Sequence, residues 1–211
     1  MATQVICKIN NRLKFLHRKS RFLTPELRRL LCNALIQPHF DYASSAWYTN
    51  LNKGYKDSLD ILQRKCIRFC LMKHTRFHIG YDEFAAINWL PVSQRADQVI
   101  CSLVYKFFND RSPAYMSNVF SPVNGRGGTT RRSFQKLVVP SRTKVPGKRS
   151  LSFIGPTLWN KIPVDYIKTG DKYEIKTIKA CSTVNDFKHK LKSHYLGLLH
   201  AANESIYLYY K

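Results

Sequence analysis

Apolar residues recur at spacings of three and four along much of the chain, and this spacing places them on one face of an α-helix. A first helix is predicted over about residues 4–19, with Val5, Ile6, Ile9, Leu13 and Leu16 on its apolar face. Another is predicted over about residues 57–72, where the apolar positions follow the same rule.

A helix between these two has clear start signals. Thr24 can cap it, Pro25 suits its first position, and Glu26 suits the positive end of its dipole. Pro38 ends or kinks it. Its predicted buried face consists of Leu27, Leu30, Leu31, Ala34 and Leu35. Three such helices within 72 residues predict a small helical bundle.

The later part of the chain predicts shorter elements. Asp82 is expected to cap a short helix that ends near Ile87, and Ser93 to cap a longer one that runs to Phe108.

Segments 134–139 and 150–154 are predicted to pair as a hairpin. Residues 155 and 156 are expected to open a short helix that Pro163 closes. A last helix is predicted from Ser182 or Thr183, with a buried face of Val184, Phe187, Leu191, Tyr195 and Leu198.

These patterns predict a mainly α protein with three parts. An N-terminal helical bundle covers residues 1–80, and a helical scaffold covers 81–120. A basic linker and a small α+β region with the short hairpin cover 121–211. The boundary before the last part is placed at the flexible sequence NGRGG, residues 124–128.

Charge changes this picture from a fold to a function class. The chain carries 35 Lys and Arg against 13 Asp and Glu, a formal net charge of +22. The excess lies in two blocks, +11 over residues 1–78 and +10 over the acid-free residues 111–164. A surface that served solubility alone would mix both signs, so the blocks favour a polyanionic partner, with nucleic acid first.

The same sequence bounds the location of the protein. No apolar run approaches the roughly 18 residues of a membrane-spanning helix. Lys8 interrupts the short apolar run that would resemble a secretory signal. The six cysteines form no C-x-x-C pair and mostly suit buried helical positions, which favours a reducing nuclear or cytoplasmic setting. The acid-free N-terminus would also suit a mitochondrial presequence.

Catalytic and metal chemistry find little support. Asp82 and Glu83 resemble a helix start, and Asp57 and Asp60 are expected near a helix N-terminus, where the dipole favours them without a metal. Cys66, Cys70, His74 and His78 have a spacing that suggests zinc. On one continuous helix, however, they would span about 18 Å, because each residue rises 1.5 Å, and only a break near Lys73 could bring them together. No catalytic residue and no cofactor are therefore predicted.

The basic blocks supply the predicted nucleic-acid contacts. On the first helix, Lys8, Arg12 and Lys19 fall on one flank of the apolar stripe, and Lys14 and Arg18 on the other. The second block adds Phe134 and Phe153, which could stack on a single strand, although such aromatics, like the three tryptophans, are more often core residues. The complete predicted set is Lys8, Arg12, Lys14, Arg18, Lys19, Arg21, Arg28, Arg131, Arg132, Arg142, Lys144, Lys148 and Arg149.

Five collinear segments carry a family resemblance. Residues 9–47 (INNRLKFLHRKSRFLTPELRRLLCNALIQPHFDYASSAW), 59–69, 87–120, 132–163 and 182–196 resemble the region that follows the catalytic palm in non-LTR retrotransposon reverse transcriptases of the jockey and chicken-repeat type. The Phe/Tyr-Ala-Asp-Asp box of that family does not occur in this sequence.

The resemblance implies a thumb and a downstream basic region that hold primer–template or element RNA. It also implies that the chain does not polymerise alone, because Mg²⁺ would bind the absent palm. The implied partners are RNA or an RNA–DNA hybrid, and the palm and fingers of a parent polymerase. The alternative is a host-adopted module that binds protein through the apolar surface of residues 87–120.

Overall fold

A computed structural model describes residues 2–42, 44–123, 136–141, 144–163, 166–169, 172–175 and 178–209. This part of the chain is mainly helical, as predicted. The helices are α1 Ala2–Arg18, α2 Pro25–Leu35, α3 Gln37–Asp41, α4 Ser44–Trp47, α5 Lys53–Cys70, α6 Tyr81–Ala86, α7 Val92–Phe108, α8 Val145–Lys148, α9 Leu151–Lys161 and α10 Val184–Tyr209. Short 3₁₀ turns occur at Ser20–Phe22, Tyr48–Asn50, Ala114–Asn118 and Ile178–Ala180. Strands β1 Tyr166–Thr169 and β2 Lys172–Ile175 pair antiparallel.

The chain divides into two compact units. One comprises residues 1–96 and 194–211, and the other comprises residues 97–193. The predicted boundaries near residues 80 and 120 fall inside these units. The predicted linker at 124–128 lies outside the described residues.

The first unit is built on the predicted apolar faces of α1 and α5. Ile9, Leu13 and Leu16 are buried on α1, and the matching apolar positions of α5 are also buried. Helix α1 packs on α5 and α3, and α2 packs on the same two helices. The bundle predicted for the N-terminal region is therefore confirmed.

Helix starts agree with the sequence in part. Thr24 Oγ1 accepts a hydrogen bond from the Leu27 amide at 3.3 Å, as expected of the cap of α2. Helix α5, however, begins four residues before the predicted start, because Asn52 Oδ1 caps it at the Tyr55 amide at 3.0 Å. The expectation that Asp57 and Asp60 lie beside the helix N-terminus is therefore wrong, since both follow the first turn.

Two other predicted caps are also wrong. Gly80 precedes α6, and Glu83 Oε2 accepts from its amide at 2.8 Å, so Asp82 lies within the first turn. Helix α7 begins at Val92, so Ser93 lies inside it. Its first amide is instead satisfied from α5: Gln63 Oε1 accepts from the Val92 amide at 3.0 Å.

The buried face of α2 differs from the prediction. Leu30 is 62% exposed, and Leu27 and Ala34 are also exposed, whereas Cys32 is fully buried. The reason is the position of α3 and α5, which pack against the side of α2 that carries Cys32 and, one turn before it, Arg28. The apolar spacing of α2 does not by itself determine which side of the helix is buried.

The second unit is organised around aromatic rings. Tyr105 stacks on Phe187 with a centroid distance of 4.5 Å, and Trp159 stacks on Phe108 at 5.3 Å. Asn160 fixes a neighbouring segment, because its side chain both accepts from the Leu137 amide at 3.0 Å and donates to the Leu137 carbonyl at 2.9 Å.

The C-terminal predictions need three corrections. Residues 150–154 do not form a strand, because α9 begins at Leu151, and Phe134 lies outside the described residues. For the same reason Gly155 and Pro156 lie inside α9 and do not open it. Thr183 caps α10 as expected, with its Oγ1 accepting from the Asp186 amide at 3.1 Å. Leu198 is 51% exposed, so it does not belong to the buried face of α10.

None of the helices in the described part of the chain is long and apolar enough to cross a membrane.

The Gln63 amide connects α5 to the start of α7. Its Nε2 donates to the Leu90 carbonyl at 2.8 Å while its Oε1 accepts from Val92, and the side chain is buried. Gln63→Met should lower the free energy of unfolding by about 2–4 kcal/mol, because two buried main-chain groups lose their partners. Urea denaturation measures this loss. The exposed Gln4→Met on α1 is the control, and an equal effect of both changes would contradict the prediction.

Two helical glycines should respond oppositely to alanine. A Cβ at Gly155 would lie 2.7 Å from Phe120 Cε1, whereas one at Gly197 meets nothing within 4 Å. Gly155→Ala should destabilise by about 1–3 kcal/mol, because the Phe120 ring is fully buried. Gly197→Ala should stabilise by about 0.5–1 kcal/mol through helix propensity. Denaturation of the two variants in parallel tests the pair, and destabilisation by Gly197→Ala would count against it.

Candidate nucleic-acid interface

A cleft of about 500 Å³ lies within the first unit, between α1 and the C-terminal half of α5; we call it the α1–α5 cleft. Its two walls have the same construction. Residues 10, 13, 14 and 17 line it from α1, and residues 65, 68, 69 and 72 line it from α5 and the residues that follow. Both sets follow the spacing i, i+3, i+4, i+7. This spacing places the four α1 residues on one helix face and residues 65, 68 and 69 on one face of α5, while Met72 lies beyond the end of α5.

The lining of the cleft is strongly basic. Five cations line it: Lys14, Arg28, Lys65, Arg68 and Lys73. No acidic side chain lines it among the described residues, and within that part of the chain none of the five forms an ion pair with a carboxylate. The apolar part of the lining is Leu13, Phe69 and Met72. The cleft therefore joins unpaired positive charge to an apolar floor.

Arg28 closes the cleft from α2 and is held by the main chain. Its guanidinium donates to the carbonyls of Ser20 at 2.6 Å, Leu23 at 3.0 Å and Phe69 at 3.3 Å. It also lies over the Phe69 ring, 5.0 Å from the centroid. Its predicted role as a phosphate ligand is thus joined to a structural role that the sequence did not reveal.

His17 lies against the same ring. The two ring centroids are 4.7 Å apart in an edge-on arrangement. Partial burial, and secondly the positive charge of Arg28, lower the pKa of His17 below its ordinary value. The neutral imidazole is therefore the main form in the free protein at neutral pH, and a bound anion would favour its protonation.

The turn that ends α5 places Lys73, the fifth cation, at the cleft. Met72 has a left-handed φ of 53°, and the Lys73 amide donates to the Arg68 carbonyl at 2.9 Å, which is the Schellman arrangement. Arg68 Nε donates to the Phe77 carbonyl at 2.8 Å, and Lys73 Nζ lies 4.6 Å from the centroid of the Phe77 ring. Non-glycine residues adopt this backbone region infrequently, so the turn holds an exposed Met72 at a local energetic cost.

The structure distributes the predicted contact residues over several places. Lys14 and Arg28 line the cleft. Lys8 and Arg12 lie on the other flank of α1. Burial is the main cause that lowers the pKa of His39, and the charges of Arg12 and Lys8 lower it further. Arg12 also donates to the Leu35 carbonyl at 2.6 Å. The exposed residues that do not line it are Arg18, Lys19, Arg21, Lys144, Lys148 and Arg149. Arg131, Arg132 and Arg142 lie outside the described residues.

Sequence reasoning missed His17, Lys65, Arg68 and Lys73. A signal for two of them was present, since Lys65 and Arg68 flank the apolar stripe of the third predicted helix. What the spacing could not show is that this flank faces Lys14 on α1, because that depends on which helices pack together.

A second cavity of about 260 Å³ in the same unit has a different character. Asp60, Arg64 and His78 line it. Burial raises the pKa of Asp60, while the charge of Arg64 opposes this rise. Because a carboxylate shares this cavity with the arginine, it is a poorer place for an anion than the α1–α5 cleft.

The four residues with the zinc spacing differ in their burial. Cys66 and Cys70 are buried in the core, and His74 and His78 are exposed in the segment after α5. Within the described residues no group of three His, Cys, Asp or Glu side chains could hold a metal ion.

The aromatic and apolar residues mostly serve the cores. Trp47, Trp89 and Trp159 are buried, as the core interpretation predicts. Many large apolar side chains of residues 87–120 are buried too, including Ile100 and Phe120, whereas Tyr115 is 64% exposed.

Comparisons of the chain with known protein families, curated proteins and solved structures find no match. The resemblance to reverse transcriptases rests on the five segments named above.

The protonation of His17 should report an anion in the cleft. We expect NMR titration to give a pKa below the usual value of about 6.5 in the free protein and a higher pKa at saturating sulfate. The reason is that an anion stabilises the imidazolium, so binding takes up a proton and anion affinity rises as the pH falls. Lys65→Gln/Lys73→Gln should reduce the sulfate-induced rise, and a His17 pKa that sulfate leaves unchanged would contradict this assignment.

Proposed function

We propose that this protein binds nucleic acid, holding RNA or an RNA–DNA primer–template, and that it corresponds to the thumb and downstream region of a non-LTR reverse transcriptase without polymerising on its own. The observation that carries the proposal is the α1–α5 cleft, whose five cations have no carboxylate among the described lining residues. Side chains of this kind bind phosphates and release their counterions, which makes nucleic-acid affinity strongly dependent on salt.

The charge of the rest of the chain supports the same proposal. The exposed cations of α1 and of residues 144–149 belong to a chain whose net charge is +22. A net charge of this size favours encounter with a polyanion. The implied palm and fingers partners, and a nuclear and cytoplasmic ribonucleoprotein location, belong to the same proposal.

Salt dependence tests the proposal directly. With roughly 6–8 phosphate contacts, the logarithm of the binding constant should fall against the logarithm of salt concentration with a slope of about −5 to −7. Fluorescence anisotropy with a labelled primer–template and a labelled single-stranded RNA, between 50 and 200 mM salt, measures this slope. Binding that ignores salt over this range would refute the proposal.

A matched pair of variants locates the contacts. Lys14→Gln/Lys65→Gln/Lys73→Gln removes three cleft charges, and Lys53→Gln/Lys161→Gln/Lys188→Gln removes three exposed charges elsewhere. The cleft variant should weaken binding about 100-fold or more at 100 mM salt and reduce the magnitude of the slope by about 2–3. The control variant should weaken it less than about 10-fold. Circular dichroism verifies that both fold, and equal losses would show that the cleft is not the interface.

A further inference from the structure

The α1–α5 cleft concentrates more positive charge than one link of a nucleic-acid backbone requires. Its cations come from three helices and one turn: Lys14 on α1, Arg28 on α2, Lys65 and Arg68 on α5, and Lys73 beyond it. An internal phosphodiester carries one negative charge, and its neighbours along a strand carry theirs elsewhere. A terminal phosphate monoester carries about −1.5 to −2 at neutral pH, with three strong acceptor oxygens in one place.

The apolar part of the lining requires a second component in the ligand. Met72 is 58% exposed on the cleft, and it is held there by its left-handed backbone and the turn that follows α5. An inorganic anion would leave this surface in water. A nucleoside would cover it with the face of its base or sugar, and a cavity of about 500 Å³ falls within the range of small-ligand sites.

Resting on the proposed nucleic-acid function, we infer that the α1–α5 cleft takes a nucleoside bearing a terminal phosphate monoester, with the phosphate among Lys14, Lys65 and Lys73 and the nucleoside against Met72. Two sources share this chemistry: the phosphorylated end of a strand and a free nucleotide. Exposed cations outside the cleft, such as Arg18 and Arg21, are then available to further phosphates of the same strand.

Two RNA oligonucleotides of one sequence test the inference, one with a 5′-phosphate and one with a 5′-hydroxyl, both labelled at the 3′ end. At 150 mM salt the phosphorylated strand should bind at least about 10-fold more tightly. Lys65→Gln/Lys73→Gln should abolish this preference, and the control Lys53→Gln/Lys161→Gln should retain it. If the ends bind equally but a nucleoside monophosphate binds the wild type and not the cleft variant, the free nucleotide is the source and the inference stands.

Inorganic phosphate and one further variant test the nucleoside part. Met72→Asn keeps a residue that tolerates the left-handed backbone and removes the apolar contact. It should remove the preference of the cleft for a nucleoside monophosphate over inorganic phosphate. Equal binding of these two ligands by the wild type would overturn the nucleoside assignment.

The two proposals fail in different ways. Salt-dependent binding of both oligonucleotides, with no preference for the phosphorylated end and no binding of the nucleotide, overturns this inference and leaves the proposed function standing. Absence of binding by either oligonucleotide, in a protein that circular dichroism shows to be folded, overturns both.

Discussion

Arg28 joins the start of α2 to the end of α5 in the helical bundle of the first unit. Its guanidinium binds the carbonyls of Ser20 and Leu23, which precede α2, and the carbonyl of Phe69 on α5, while its plane covers the Phe69 ring. Charge-assisted hydrogen bonds to carbonyls are among the stronger interactions available to a protein, and three of them converge here. They fix the start of α2 against the end of α5. Because Arg28 also lines the α1–α5 cleft, the group that joins these elements places a permanent charge at the candidate site.

None of the described residues that line the cleft is acidic, and three acids of this unit interact elsewhere. Asp41 forms a two-point pair with Arg95, with contacts of 2.9 and 3.1 Å. Glu83 binds the Gly80 amide at the start of α6, and Asp60 faces Arg64 in the second cavity. A carboxylate beside the cleft would neutralise its cations and would compete with any anionic ligand. The distribution of acids is therefore as informative as the distribution of bases.

Local signals predicted much of this fold, and non-local packing accounts for most of what they missed. The cap at Thr24 and the start of the last helix near Thr183 were predicted correctly, because start signals belong to adjacent residues. Leu30 was wrongly expected in the core because the packed side of α2 is chosen by α3 and α5. Residues 150–154 were wrongly expected as a strand because a short apolar run fits either state. In the site, Lys14 could be found from one helix, whereas its grouping with Lys65 and Lys73 depends on the pairing of α1 with α5.

The positive charges that would bind an anion in the α1–α5 cleft also destabilise the folded bundle. Five cations around one cleft repel each other, and burial in part of the cleft already disfavours the charged form of His17. Added salt screens this repulsion and so favours the folded bundle, but it also weakens the attraction of a phosphate. A bound anion relieves the repulsion without this loss, because it binds the folded cleft and not the unfolded chain. In this arrangement the electrostatic destabilisation of the fold and the affinity for an anion have one origin. A substitution that removes a cleft cation therefore reduces both.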